Sequence, residues 1–108
     1  MNTEETAFCL AELGHATRLE IFRFLVKMGK SVPVGEIQKE LEIPNSTLSH
    51  HISKLAKAGL ITQERDGRTL FCSPELGRLQ SIIDFLVDEC CEGEGCLEMN
   101  QCNENLCN

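Results

Sequence analysis

The sequence predicts a winged helix-turn-helix fold, a mainly α-helical domain with one small β-hairpin. Apolar residues recur at helical spacing in several short segments that are separated by turns. The dipeptide Asp66-Gly67, a strong hairpin signal, stands between two strand-like runs within residues 61–73. Two short helices joined by a tight turn precede that hairpin directly, and this order of elements is typical of a winged helix-turn-helix.

Helices are predicted over residues 3–13, 18–28 and 34–41, and from Asn45 to Gly59. Gly29 supplies the stop of the second helix, and Pro33 stands at the start of the third. In the fourth helix, Leu48, Ile52 and Leu55 have the spacing i, i+4, i+7 that places them on one apolar face. That face predicts a helix packed on the core, with its polar side turned to solvent.

A last helix, predicted from Pro74 onward, has a wide apolar face. Its apolar residues are Leu76, Leu79, Ile82, Ile83, Leu86 and Val87. A chain of 108 residues has a small core of its own, and a face this wide normally marks an interface. We therefore expect a homodimer that packs through this helix.

The polar side of the fourth helix and the hairpin tip carry side chains suited to double-stranded DNA. Hydroxyl and imidazole groups near a helix amino terminus can donate to phosphates or base edges, and Lys and Arg neutralise phosphates. An ordinary solvated helix has a similar polar face, but a basic hairpin directly after it favours DNA. The candidate contacts are Ser46, Thr47, Ser49, His50, His51, Lys54, Lys57, Arg65 and Arg68.

The charge is unevenly distributed along the chain, whose net charge is −7. Residues 1–83 contain all ten Lys and Arg and ten of the seventeen acidic residues, whereas residues 84–108 contain seven acidic residues and no Lys or Arg. This asymmetry predicts a DNA-binding and dimerisation domain over residues 1–92 and a flexible, cysteine-rich acidic tail over residues 93–108.

Several classes of protein are excluded by what the sequence lacks. No apolar run approaches the roughly 18 residues that cross a membrane, and the acidic start is unlike a secretion signal. No paired carboxylates, nucleophile–base set or phosphate-binding loop is present. We expect a cytoplasmic protein that is not an enzyme, with no membrane partner, no small organic substrate and no prosthetic group.

Two segments carry a resemblance to a known family. LGHATRLEIFRFLV, residues 13–26, resembles the signature of the ArsR/SmtB repressors, and NSTLSHHISKLAKAGLITQERDGRTLFCS, residues 45–73, is similar to their recognition helix and wing. The resemblance covers about residues 10–90. It implies a dimer built mainly from the first and last helices, and repression of a metal- or metalloid-resistance operon. It also implies that the residues reading bases and phosphates are Ser46, Thr47, Ser49, His50 and His51.

The chain departs from this family at the usual effector sites. Many arsenic-sensing members carry Cys-x-Cys at the start of the third helix, where this chain has Ser31-Val32-Pro33-Val34. The zinc-type site of other members uses Asp and His pairs along the last helix, but this chain has Asp84 there and no His after His51. We therefore expect the effector to bind elsewhere.

The effector is expected to bind the cysteines near the end of the chain. Five of the seven cysteines lie in the last nineteen residues, and a cluster of reduced thiols indicates metal-binding or redox chemistry. Trivalent arsenic is soft and takes three thiolates. The motif CCEGEGC offers Cys90 and Cys91 side by side and Cys96 after a short glycine-containing loop. We predict arsenite as the effector, with Cys102 or Cys107 as possible substitutes for Cys96, and antimonite or methylarsenite as related inducers.

The same residues allow other interpretations of the effector site. Four of the five tail cysteines could hold cadmium, lead or zinc, or a pair of them could form a redox sensor. His50 and His51 could form a metal pair, although their place in the fourth helix favours DNA. Cys9 and Cys72, outside the tail, are expected to be packed in the interior rather than to bind a metal.

Overall fold

Five helices and three short strands are present in the computed structural model, which describes residues 1–88. The observed architecture is the predicted winged helix-turn-helix, mainly helical with a small antiparallel sheet. The elements in chain order are α1 Thr3–Leu13, α2 Ala16–Met28, β1 Val32–Pro33, α3 Val34–Leu41, α4 Asn45–Lys57, β2 Ile61–Asp66, β3 Thr69–Pro74 and α5 Leu76–Leu86.

The helix ends are set by local hydrogen bonds. Asn2 and Glu5 form a capping box at the start of α1, where the Asn2 side chain accepts from the Glu5 N–H at 2.7 Å. Helix α2 begins two residues earlier than the sequence predicts, because His15 Nδ1 accepts from the Thr17 N–H at 3.2 Å and caps it. Gly29 ends α2 with a left-handed φ of 69°, as predicted.

The hairpin joins β2 and β3 in antiparallel register, from Ile61 opposite Pro74 to Asp66 opposite Thr69. Two residues, Gly67 and Arg68, form the loop, and the φ of 67° at Gly67 suits a tight hairpin turn. Pro74 was expected to open the last helix, but it ends β3, and α5 starts at Leu76.

A third strand, which the sequence analysis did not predict, lies on the other side of β3. Strand β1 is only two residues long, and Val32 pairs with Cys72 while Pro33 pairs with Phe71. Two residues are too few to show the alternation that identifies a strand. The pairing joins the segment before α3 to the hairpin. The wing is therefore connected to the helix-turn-helix by this pairing as well as by the chain between α4 and β2.

The core lies where α2, α4, α5 and the sheet meet. Leu48, Ile52 and Leu55 of α4 are buried in it, as their spacing predicts. Other fully buried side chains come from every neighbouring element: Ile21, Leu25, Val32, Ile37, Leu60, Cys72 and Ile82.

Some apolar residues of α5 lie in the core and others are exposed to solvent. Ile82 is 2% exposed and belongs to the core, so its assignment to an interface face was wrong. Leu76, Ile83 and Leu86 are instead 52%, 45% and 58% exposed. The physical reason is the helical period, which turns Ile82 about 100° away from Ile83.

Some expectations concern residues outside the described part. The domain boundary between residues 92 and 93 lies there, as do the tail cysteines Cys90, Cys91, Cys96, Cys102 and Cys107. Within residues 1–88, no helix is both long enough and apolar enough to cross a membrane.

Candidate nucleic-acid interface

Helix α4 presents an exposed polar face opposite its buried stripe. Ser46, Thr47, Ser49 and His50 are all exposed on its first turns. No acidic residue occurs in the helix, whose sequence is NSTLSHHISKLAK. A face of hydroxyl, imidazole and amine groups without carboxylates is suited to the negative surface of a nucleic acid.

The amino terminus of α4 is open to a ligand. Pro44 is the residue before the helix, and within residues 1–88 no side chain caps the first turn. The N–H groups of that turn therefore have only solvent or a bound group as partners. Together with the helix dipole they favour a phosphate close to Ser46 and Thr47.

A cleft of about 330 Å³ lies between the exposed side of α4 and α1. Its lining residues are Phe8, Glu12, His50, Ser53, Lys54 and Lys57. Lys54 is half-buried in this cleft, and Lys57 is exposed. Both cations lie on the same helix as the hydroxyl groups, which extends the candidate surface along the whole of α4.

Ser53 is a candidate contact that the sequence analysis missed. It is exposed, and it stands three residues after His50 and four before Lys57. This spacing places Ser53 on the same helical face as those two residues. The signal was available in the sequence, because Ser46, His50, Ser53 and Lys57 repeat the helical spacing of the buried stripe.

The prediction that His51 contacts DNA is wrong. The side chain is 6% exposed and faces the interior, with its Nδ1 atom 3.2 Å from Nη1 of Arg18. The reason is its position, three residues after Leu48 and four before Leu55, within the buried stripe. His51 is therefore absent from the surface that Ser46, Ser49 and His50 form.

The wing carries two exposed arginines. Arg68 lies in the hairpin loop, and Arg65 lies on β2 opposite Leu70. Side chains alternate along a strand, so Arg65 shares its face with Gln63 and points away from Glu64 and Asp66. This alternation separates the wing's positive charge from its two carboxylates.

Two other helices donate hydrogen bonds to a single backbone oxygen at the carboxyl end of α4. The carbonyl oxygen of Ala58 accepts a hydrogen bond from the Cys9 thiol of α1 at 3.3 Å. It also accepts one from Nε of Arg78, on α5, at 3.2 Å. Gly59 follows with a φ of 78°, and a Cβ placed there would lie 3.2 Å from Nε of Arg78. The end of the candidate recognition helix is thus fixed relative to α1 and α5.

Cys9 and Cys72 are buried, which confirms the expectation that they pack in the interior. Burial raises the pKa of the Cys72 thiol to about 11, so it stays protonated near neutral pH. Cys9 uses its proton to bond Ala58. Among residues 1–88, no group of three His, Cys, Asp or Glu side chains is placed to hold a metal ion.

An uncapped helix with a polar, acid-free face, followed by a hairpin with exposed arginines, defines a winged-helix DNA-binding protein. A helix-turn-helix domain family matches residues 13–64. A helix-turn-helix transcriptional regulator of Methanocaldococcus jannaschii is 37% identical over 86 residues, which are 80% of this chain and 94% of that protein.

Two further comparisons extend this result. The arsenical resistance operon repressor ArsR of Halobacterium salinarum, so named, is 37% identical over 59 residues, which are 55% of this chain and 46% of that protein. The chain thus spans about half the length of that relative. The solved structure of an ArsR-like transcriptional regulator from Rhodococcus sp. RHA1 superposes with a TM-score of 0.75 at 20% identity, covering 91% of each chain.

The chain belongs to the ArsR family of winged-helix transcription regulators. Proteins of this family bind DNA and are not enzymes, so the expectation that the chain is not an enzyme is confirmed. The comparisons also support a transcriptional repressor within this family.

Proposed function

We propose that the chain represses transcription as a homodimer bound to operator DNA, and that trivalent arsenic bound by tail cysteines releases it. The observation that carries the DNA-binding part is the exposed face of α4, which has hydroxyl, imidazole and amine groups and no carboxylate. The wing arginines Arg65 and Arg68 add phosphate contacts beside it.

The homodimer is supported by apolar side chains on the outer side of α5. Leu76 and Ile83 are seven residues apart and both exposed, and Leu86 is exposed three residues after Ile83. This repeat is the spacing at which helices of two copies pack along a shared seam. Phe8 and Leu10 of α1 are also exposed, at 42% and 40%. Dimers are typical of related structures.

The arsenic site is supported by the chemistry of the cysteines. A soft ion needs thiolates, and the two cysteines outside the tail are both buried, with the pKa of the Cys72 thiol raised by that burial. The five tail cysteines are then the thiols proposed for an effector, and Cys90, Cys91 and Cys96 are the three that stand closest together in the sequence. One relative is named as an arsenical resistance operon repressor. Antimonite and methylarsenite share the same thiol chemistry.

A mobility-shift assay with stepwise arsenite addition tests the effector site. Cys90→Ser and Cys91→Ser should bind operator as the wild type does, but arsenite should no longer release them, because a serine hydroxyl does not deprotonate to bind a soft ion. Cys96→Ser should lose part of the response, since Cys102 and Cys107 lie on the same segment. Methylarsenite, which needs only two thiols, should still release Cys96→Ser.

A chain truncated after Glu98 separates the possible third ligands. It retains Cys90, Cys91 and Cys96 and lacks Cys102 and Cys107, so full release by arsenite is the expected result. Loss of the response would place the third ligand at Cys102 or Cys107. Release by cadmium or zinc with four thiols per ion, but not by arsenite, would instead support the tetrahedral metal site.

A further inference from the structure

Arg18 of α2 and His51 of α4 form a partly buried contact between these two helices. The Nη1 atom of Arg18 lies 3.2 Å from Nδ1 of His51. A guanidinium group has only donors, so the imidazole must accept through a lone pair on Nδ1. The contact therefore requires neutral His51 with its proton on Nε2. A second proton on the ring would place an Nδ1–H group of His51 against the Nη1–H group of Arg18 and break the contact.

The same arginine also reaches α1. Its Nε donates to the backbone carbonyl of Glu12 at 2.7 Å, and the Glu12 carboxylate lies 3.3 Å from that nitrogen. The side chains of Arg18 and Glu12 are only 12% and 13% exposed. One fixed side chain thus joins the last turn of α1 to the middle of α4, in a low-dielectric setting where charge-assisted hydrogen bonds are strong.

The surroundings of His51 keep it in the state that this contact needs. The ring of His15, which caps α2, lies with its centroid 4.7 Å from that of His51, and the His50 ring lies 5.8 Å away. Burial is the main cause that lowers the pKa of His51, and the charges of His15, Arg18, His50 and Lys54 lower it further. The imidazole is neutral near neutral pH as a result.

We infer that Arg18 and His51 are positioning residues, which set the rotation of the recognition helix α4 against α1 and so decide how its outer side chains meet the DNA bases. This role rests on the proposed operator binding. His51 belongs to the same helix as His50, whose side chain lies on the outer face. A small rotation of α4 about its axis would move His50, Ser49 and Ser46 together. The pair therefore affects recognition of every base rather than one.

The inference is tested with His51→Leu, Arg18→Met and the double variant. Affinity is measured for a duplex selected from a random pool by the wild type, and for an unrelated duplex of equal length at the same salt. The ratio of the two affinities should fall about tenfold in each single variant, the loss expected for one hydrogen bond to a charged group. The double variant should be no worse than Arg18→Met alone, because Arg18→Met already removes the contact with His51 as well as the bonds to Glu12.

Two control variants separate positioning from other roles. Asn at position 51 offers an acceptor near the place of Nδ1, so His51→Asn should recover most of the ratio. Arg23→Met removes an exposed arginine of α2 and should leave the ratio unchanged. Folded single variants with the wild-type ratio, or losses that multiply in the double variant, would overturn the inference. A wild type without any DNA preference would overturn the proposed function as well.

A measurement on the unaltered protein covers the case in which Arg18→Met fails to fold. Nitrogen-15 chemical shifts distinguish the two imidazole nitrogens, and His51 should show an unprotonated, hydrogen-bonded Nδ1 at neutral pH. A proton on Nδ1 would exclude the Arg18 contact and overturn the inference.

Discussion

His50 and His51 are neighbours in the chain with opposite surroundings. His50 is exposed on the candidate DNA surface, whereas His51 is buried against Arg18. We therefore propose two separate uses of the imidazole group within one helix, DNA recognition at His50 and support of the helix at His51. Residue type alone does not distinguish these uses, but position on the helix does.

The buried imidazole predicts a loss of stability in mild acid. The pKa of His51 is lowered below its ordinary value of 6.5 in the folded protein, so the unfolded chain binds this proton more readily. The stabilisation is complete above pH 6.5 and is lost as the pH falls below that value. Denaturant unfolding between pH 7 and pH 5 should show this slope, and His51→Asn should show less of it. Equal slopes in the two proteins would contradict the assignment.

Arg68 and His50 are predicted to act differently on DNA. Arg68→Ala should weaken binding to all duplexes alike and reduce the salt dependence by about one released counterion, because the contact proposed for this exposed loop arginine is with a phosphate. His50→Ala should leave the salt dependence unchanged and relax base preference by about 1–3 kcal/mol. Binding measured over a series of salt concentrations checks both. A loss of base preference in Arg68→Ala at constant salt slope would show that the wing reads bases.

The turn after α4 is constrained by backbone conformation and by the space around it. Gly59 has a φ of 78°, and an added Cβ would lie 3.2 Å from Nε of Arg78. Gly59→Ala should therefore lower the free energy of unfolding by roughly 1–3 kcal/mol. Gly35→Ala is the matched control, since a Cβ there meets nothing within 4 Å, and it should be neutral or stabilising. Thermal unfolding of both variants gives the comparison, and a stable Gly59→Ala protein would refute the constraint.

The elements that the sequence predicted are those with a clear period. The stripe of Leu48, Ile52 and Leu55 identified α4 and its buried face, and Asp66-Gly67 located the hairpin. The two-residue strand β1 has no period to detect, and its pairing depends on contacts with β3, distant in sequence. Pro74 was taken for a helix start although it ends a strand, because proline is tolerated at both positions.

The candidate site was predicted in part. The outer residues of α4 were named from their type and place, but His51 was grouped with them because it is polar. Its spacing from Leu48 and Leu55 would have placed it inside. Its partner Arg18 is 33 residues away in sequence, and only the packed fold brings the two together.

The exposed side of α5 predicts the oligomeric state of the protein. Ile83→Asp should yield a monomer that remains folded, because Ile83 is 45% exposed and outside the core. Operator affinity should fall strongly, since one copy contacts one half-site. Sedimentation at micromolar concentration measures the state, and Ser81→Asp, which adds the same charge to an exposed position of α5, should remain dimeric. A monomeric wild type would reject the interface.

The shared hydrogen-bond acceptor at Ala58 has a thermodynamic consequence. Helices α1 and α5 both donate a hydrogen bond to this carbonyl, so a displacement of either helix changes the position of the end of α4. Such coupling is reciprocal, because the free energy that links two ligands has one value whichever binds first. If arsenite weakens operator binding by a given factor, the operator must weaken arsenite binding by that same factor. Copies of the protein seated on the operator would then respond at higher arsenite concentrations than copies free in solution, and the free copies would act as a buffer for the metalloid.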